Sequence, residues 1–474
     1  TARRESRPSS GSSTTSMSVR LRRGIRYSTG APVRPEDFEH AIERVFKLNS
    51  AFESFYGHIV GARACLARPA GCDLARGIVP DDAADTVTFH LVTPDPQFLY
   101  ELALPAAVAT PPRTPDRDVG DHPIPTTGAY QIASYTPRAV KLVRNPYFHV
   151  WSNAARPDGY PDQIVWRIGA SPPAEVTAVE RGAADYTLDP PPANVLSELQ
   201  TRFASQLNIN PSDSAVLLWL NTRVAPFNDV RVRRALSYAV DRAEVANIVG
   251  LASRPTCQFL PPYIPGYERY CPYTRDPSAN GAWLGPDVPE AKALIAASGT
   301  RGAQITIWTS PGWDAFVTDL TPVGRYLVSL LDQLGYRAHL RTVAATNTSF
   351  AADSRAKVQG GLLSYEPAYP RAEQFLGPNL LSCGSFVPNS PNNSNLPEFC
   401  DPHFDATVRN AAAADAANAA AATRLWAQAD RQITDQAPVV SLLVPSVIDF
   451  VSQRTRNYQY NPVWGALLDQ LWVR

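Results

Sequence analysis

The chain has 474 residues, with 44 Lys+Arg against 44 Asp+Glu and a formal net charge of zero. That length allows several domains, and the balance excludes the chain-wide basic field that nucleic acid or an acidic membrane surface would select. No apolar run approaches the roughly 18 residues of a membrane-spanning helix.

The first 16 residues, TARRESRPSSGSSTTS, are polar and have no apolar signal core, so they read as a flexible lead-in. Residues 19–30 (VRLRRGIRYSTG) alternate and then turn, the pattern of a strand entering a loop. Residues 35–46 place Phe38, Ala41, Ile42, Val45 and Phe46 on one helical face, with acids in the first turn. Residues 86–94 form another strand, and the Pro-rich stretch 111–128 is a connector. Residues 129–145 read as a hairpin around YTPR, 162–171 as a strand, 173–182 as a helix stopped by Gly182, and 185–189 as the start of a further strand. Strand and helix therefore alternate, the signature of an α/β layer.

AVLLWLN (215–221) is nearly all apolar, as in the centre of a buried sheet. A helix follows from the N-cap Asp229, with Val232, Ala235, Leu236, Ala239, Val240 and Ala243 on one face and Arg231, Arg233, Arg234 and Arg242 on the others. The arginines have no aromatic interleaving and are followed by Asp241 and Glu244, so they read as a solvated face with local ion pairs, not a nucleic-acid recognition helix. Helix 289–299, strand 305–310, helix 321–335 and strand 336–343 include a second strand–helix–strand unit. Strand 360–365, a long Ala-rich helix over 405–437 and strands within 438–453 complete the chain.

Chemistry-bearing motifs are sparse. There is no nucleophile elbow, phosphate loop or dinucleotide fingerprint, and the seven histidines have no metal-ligand spacing, so neither an enzyme nor a metal or other cofactor is expected. The six cysteines form three sequence-local pairs: Cys65 with Cys72, Cys257 with Cys271, Cys383 with Cys400. Fifteen connectivities are open, and buried thiols compete with loop-clamping disulfides of an oxidising compartment. Trp219, Trp308, Tyr365, Tyr369 and Trp464 fall at strand ends or in following loops, where α/β sheets bind ligands.

The order of segments 20–45, 126–148, 182–189, 218–242, 260–267, 289–299 and 396–412 resembles the extracellular solute-binding proteins of family 5, which include the oligopeptide- and dipeptide-binding proteins of ABC importers. The resemblance implies a type II periplasmic-binding-protein-like α/β fold with two lobes joined by a hinge and an additional inserted domain. Residues 1–125 correspond to the inserted domain, with about 19 disordered residues at its start. Residues 126–221 and 446–474 correspond to an incomplete first lobe, and 222–445 to the second. The first-lobe strands that ordinarily precede the match have no counterpart, which implies an N-terminally truncated chain. Many relatives carry an acid in an A-D-Y-P segment; in SYEPAYPRA (364–372) Ala368 stands in its place and Glu366 is the nearest acid.

The implied function is extracytoplasmic capture of peptides or related small solutes by lobe closure, followed by docking of a monomer on a membrane ABC permease, with lipid anchoring through a missing N-terminus. Asn221, Trp308, Tyr365, Glu366, Tyr369 and Trp464 are the expected ligand contacts, with Glu366 pairing a cationic group. The alternatives are a ligand-sensing module of a larger regulatory protein and, further off, a hydrolase.

Overall fold

The computed structural model describes residues 2–3, 15–120, 122–155, 157–250, 253–310, 319–344, 349–390 and 393–474, so most of the polar lead-in lies outside the described residues. Contacts divide the chain into two compact units: residues 1–174 with 454–460 and 466–474, and residues 175–453 with 461–465.

The first unit holds two larger antiparallel sheets and a short two-stranded pair, Thr455–Arg456 with Trp472–Val473. One has the order β1 (Ala2–Arg3), β2 (Ser16–Leu21), β4 (Thr86–His90), β3 (Ile78–Asp81). Helix α1 (Glu36–Lys47) buries Ala41, Ile42, Val45 and Phe46 in the same core as Val19, Leu21, Val87 and Phe89, as its periodicity predicts. The second sheet is the predicted hairpin, β5 (Tyr130–Thr136) and β6 (Ala139–Arg144), extended by β7 (Gln163–Arg167).

The second unit is three-layered. Helix α2 (Pro172–Glu180) enters it, followed by α3 (Ala193–Arg202) and β8 (Leu207–Pro211). Strand β9 (Ala215–Leu220) is the predicted sheet centre. It carries alternate side chains into two cores: Val216, Leu218 and Leu220 into one, Ala215, Leu217 and Trp219 into the other. Helices α4 (Val230–Ala239), α5 (Arg242–Val249), α6 (Val288–Ser298) and α7 (Thr321–Gln333) fill the first core. Helices α8 (Pro402–Ala417) and α9 (Ala419–Gln436) fill the second. The sheet between them has the order β10 (Arg254–Pro255), β14 (Val439–Val444), β9, β13 (Gly360–Tyr365), β11 (Gln304–Thr309), β12 (Arg337–Thr342). Strands β11, β12 and β13 run parallel, while β9 is antiparallel to both neighbours. Strand β15 (Ser446–Phe450) pairs with β8 instead, Ser446 opposite Pro211.

Four expectations need correction. The helix after Asp229 stops at Ala239, because Asp241 caps a second helix by accepting from the amides of Ala243 and Glu244. The Ala-rich stretch is two helices, because Asn418 is extended (φ −154°) and caps α9 through the Ala421 amide. Residues 185–189 contribute one isolated bridge, Tyr186 with Val451, not a strand.

The fourth concerns the arginines. Only Arg231 fits the solvated, ion-paired reading, bound to Asp229. Arg233 is 4 % exposed and donates to the carbonyls of Gln436 and Phe227. Arg234 donates to the Asp435 carbonyl. Arg242 is 1 % exposed and donates to the carbonyls of Thr256, Ser441 and Ser237. A guanidinium offers five donors in a fixed fork, so it can satisfy several buried carbonyls at once.

All six cysteines are paired: Cys65–Cys72, Cys257–Cys271 and Cys383–Cys400. Three short loop clamps of this kind suit an oxidising compartment. Among the described residues no helix is long and apolar enough to cross a membrane, and no group of His, Cys, Asp and Glu could hold a metal.

Candidate functional site

Five of the six sequence-derived residues can be placed around the sheet of the second unit, and they are not equivalent. Tyr365 ends β13 and packs edge-on against Phe375, with Phe259 5.9 Å away. Its hydroxyl donates to the Gln374 carbonyl, and burial holds its pKa above the usual tyrosine range. Tyr369 is buried and donates to Glu373 Oε2 at 3.1 Å. Glu366 is exposed. Trp308, half-buried, lies on β11 beside Gly361 of β13 and packs on the same core as Tyr365. The Arg341 guanidinium stacks 4.2 Å above its ring. Close packing here needs glycine, since a Cβ at Gly361 would come within 3.0 Å of both Trp219 Nε1 and the Trp308 carbonyl.

Asn221 is not brought to this end. It follows Leu220 at the far end of β9, six residues from Ala215, which pairs with Tyr365. At ~3.3 Å per residue that is about 20 Å. It is buried, its Oδ1 accepting from the Arg223 amide and its side chain bonding Glu398. Trp464 sits on the tip formed by 461–465 and is 59 % exposed, with Asn461 Oδ1 accepting from its amide.

Sequence reasoning missed a set of polar groups at the same sheet end as Tyr365. Asp213 occupies the joint between β8 and β9 and is 2 % exposed, yet its carboxylate has no hydrogen-bond partner beyond the residue's own backbone N–H. Burial pushes its pKa up to about 6, its own backbone N–H pulling weakly the other way. The hydroxyls of Ser214, Thr309, Ser310 and Ser364 are likewise buried and unpartnered. In the sequence they read as an ordinary Pro-Ser-Asp-Ser turn and as the ends of two apolar strands, so no local pattern marks them.

The first unit contains a cavity of about 580 Å³ lined by Ile25, Tyr130, Phe148, Trp151, Trp166 and their neighbours. It is almost wholly apolar, with Asp469 its one carboxylate, and none of its lining residues is a sequence-derived candidate. The buried, unpartnered polar groups described above lie in the second unit.

A family model described as bacterial extracellular solute-binding proteins, family 5, matches residues 6–386. The periplasmic oligopeptide-binding protein OppA of Salmonella typhimurium is 29 % identical over 260 residues, covering 52 % of this chain and 46 % of that protein. The chain thus spans about half the length of that relative. The glutathione-binding protein GsiB of Salmonella choleraesuis is 22 % identical over 465 residues, covering 95 % of this chain and 82 % of that protein. Among solved structures, a clavulanic acid biosynthesis oligopeptide binding protein superposes with a TM-score of 0.84 at 22 % identity, covering 98 % of this chain and 84 % of that one. Helicobacter pylori DppA in complex with the peptide STSA gives 0.72 at 17 %, covering 97 % and 86 %. These likenesses show the fold, that of type II periplasmic binding proteins.

Proposed function

The chain belongs to the bacterial extracellular solute-binding proteins of family 5, and from that membership we propose that it captures peptides or related small solutes outside the cytoplasm for an ABC importer. The family match over residues 6–386 carries this reading. It is a binding role without chemistry: ligand burial favours a closed form through differential affinity for the two states.

Trp308, Tyr365 and Tyr369 are proposed as apolar walls, with Glu366, Trp464 and Asn221 as further contacts. An extended peptide is proposed to run along β13. That strand pairs with β9 over all six residues but with β11 only at Gly360 and Gly361, so backbone near Leu362–Tyr365 is the natural partner for added main-chain bonds. The partners of this reading are a peptide or similar solute and a membrane permease, with the protein acting as a monomer, lipid-anchored at the cell surface. Residues 1–125, 126–221 with 446–474, and 222–445 are proposed as its inserted domain and two lobes.

The test is a thermal-shift assay with a mixed peptide library. A ligand present at 100 times its Kd adds ~2.7 kcal/mol of stability, a readily measured rise in melting temperature. Absence of any shift with peptide and cationic libraries would overturn the peptide reading.

A further inference from the structure

We propose that the edge strand β12 is a docking surface for an extended acidic segment of a partner protein, which lies beside it as an added strand with carboxylates at alternate positions. This goes beyond the solute-binding reading and does not depend on it.

Strand β12 (Arg337–Thr342) closes one side of the six-stranded sheet and pairs only with β11. Alternation splits its side chains between two faces. Ala338 is buried in the core that α7 fills, and Leu340 packs against that core. Arg337, His339 and Arg341 turn to the other face, and all three are exposed. In register beside them on β11 stand Gln304, Thr306 and Trp308, none of them acidic. Successive basic groups are about 6.6 Å apart, two residues along a strand.

No carboxylate answers this row among the described residues. Arg337 donates through Nε to the Gly302 carbonyl. The Arg341 guanidinium stacks over the Trp308 ring and makes no ion pair. The two neighbouring acids are committed elsewhere: Asp319 Oδ1 accepts from the Thr321 amide, and Asp332 Oδ1 from the Ala338 amide.

The backbone edge is open as well. The amides of Arg337 and Val343 bond the carbonyls of Ala303 and Thr309, so the even-numbered amides between them turn away from β11. Asp332 takes that of Ala338. Those of Leu340 and Thr342 face outward, where an added strand would meet them.

Charge decides the occupant. An extended chain repeats every two residues, so glutamates at alternate positions fall opposite Arg337, His339 and Arg341, where cross-strand pairs of opposite sign attract. Main-chain bonds to Leu340 and Thr342 fix the register, the mode by which sheet edges capture peptides. A basic strand would be repelled and a neutral one would leave the row unanswered. A lipid surface could meet the charges but not the outward amides, and the row is one strand wide in a chain of zero net charge. A guard against edge-to-edge aggregation needs only some charge on the strand; it does not need Arg341 held in place over a ring.

The test uses the full chain with its disulfides intact, wild type against Arg337→Gln/Arg341→Gln and Arg337→Glu/Arg341→Glu. The probes, capped at both ends and fluorescein-labelled, are the peptide TEVEVET, its isomer TTVVEEE and the basic TKVKVKT; phosphatidylglycerol vesicles are the fourth. Anisotropy at about 0.02 M salt is expected to show TEVEVET binding the wild type, with most of the binding lost at about 0.5 M. TTVVEEE should bind about 10-fold more weakly and TKVKVKT not at all. The Gln variant should bind TEVEVET about 3- to 20-fold more weakly and the Glu variant more weakly still, with melting temperatures unchanged because both positions are exposed. Bound TEVEVET should slow amide hydrogen exchange within 338–343 of the wild type. No binding of TEVEVET to the wild type, equal affinity for the Gln variant, or equal binding of TTVVEEE would overturn the proposal. So would unchanged exchange within 338–343, or vesicles binding the wild type while the peptide does not. Self-association of the Gln variant, with no peptide binding to the wild type, would make the row a guard against aggregation and overturn it too. TEVEVET binding all three proteins alike would be capture as a solute, which leaves that reading standing and ends the docking surface.

Discussion

Replacing Arg242 by Met should be among the most damaging single changes in the second unit. The side chain has no carboxylate partner. Its Nε–H is shared between the carbonyls of Thr256 and Ser441, at 2.8 and 2.9 Å, and its Nη1 donates to the Ser237 carbonyl at 3.0 Å. These bonds tie the α4–α5 joint to the central sheet through β14. Burial lowers the guanidinium pKa to about 10, so the charge is held at some cost. Met fills similar volume and removes that cost but leaves three buried carbonyls without a donor. At ~1–3 kcal/mol for each stranded group, partly offset by the lost desolvation, the net destabilisation is about 3–5 kcal/mol. Lys keeps the charge but not the planar fork, so Arg242→Lys should lose a comparable amount. Urea denaturation with the disulfides intact, followed by tryptophan fluorescence, reads this as a lower midpoint at unchanged slope. A loss below about 1 kcal/mol in Arg242→Met would refute the claim that these carbonyls depend on the guanidinium.

Asp430 is buried with its pKa raised from 3.8 to about 7 by desolvation. The folded state then holds a proton that the unfolded state releases, so its contribution to stability should fall as pH rises from about 4 to 7. The melting-temperature difference between wild type and Asp430→Asn should drift against the wild type across that window; a constant difference would contradict it. Loss of the Cys383–Cys400 bridge, 17 residues apart, in Cys383→Ser/Cys400→Ser should cost about 3 kcal/mol by loop-closure entropy, and loss of Cys65–Cys72, 7 apart, about 2 kcal/mol, both read by chemical denaturation.

Much of the fold was legible because several elements state their own packing. AVLLWL could only be a strand covered on both faces, and it is the centre of the six-stranded sheet. The apolar stripe of α1 named the residues it buries. The cysteine pairs were adjacent enough in sequence for their spacing to suggest clamps. Where local signals competed, the reading failed. The capping preference of Asp241 and Asn418 overrode runs that looked like continuous helix. The site was less legible still. Aromatics at strand ends drew attention to Tyr365 and Trp308, which do share a sheet face, but Asn221, expected as a polar ligand contact, lies at the other end of the strand.

The sequence by itself determined most of the strands and helices, which face of each is apolar, and through segment order the family. Those properties repeat within a few residues, with period 2 or 3.6, and need no knowledge of neighbours. Tertiary structure alone decided that Arg233 and Arg242 turn inward to backbone carbonyls contributed from residues up to 203 positions away. It alone buried the hydroxyls of Ser214, Thr309, Ser310 and Ser364, at or beside the ends of three strands, without partners. Whether a polar group is satisfied depends on register between strands distant in sequence, and no local pattern encodes that register.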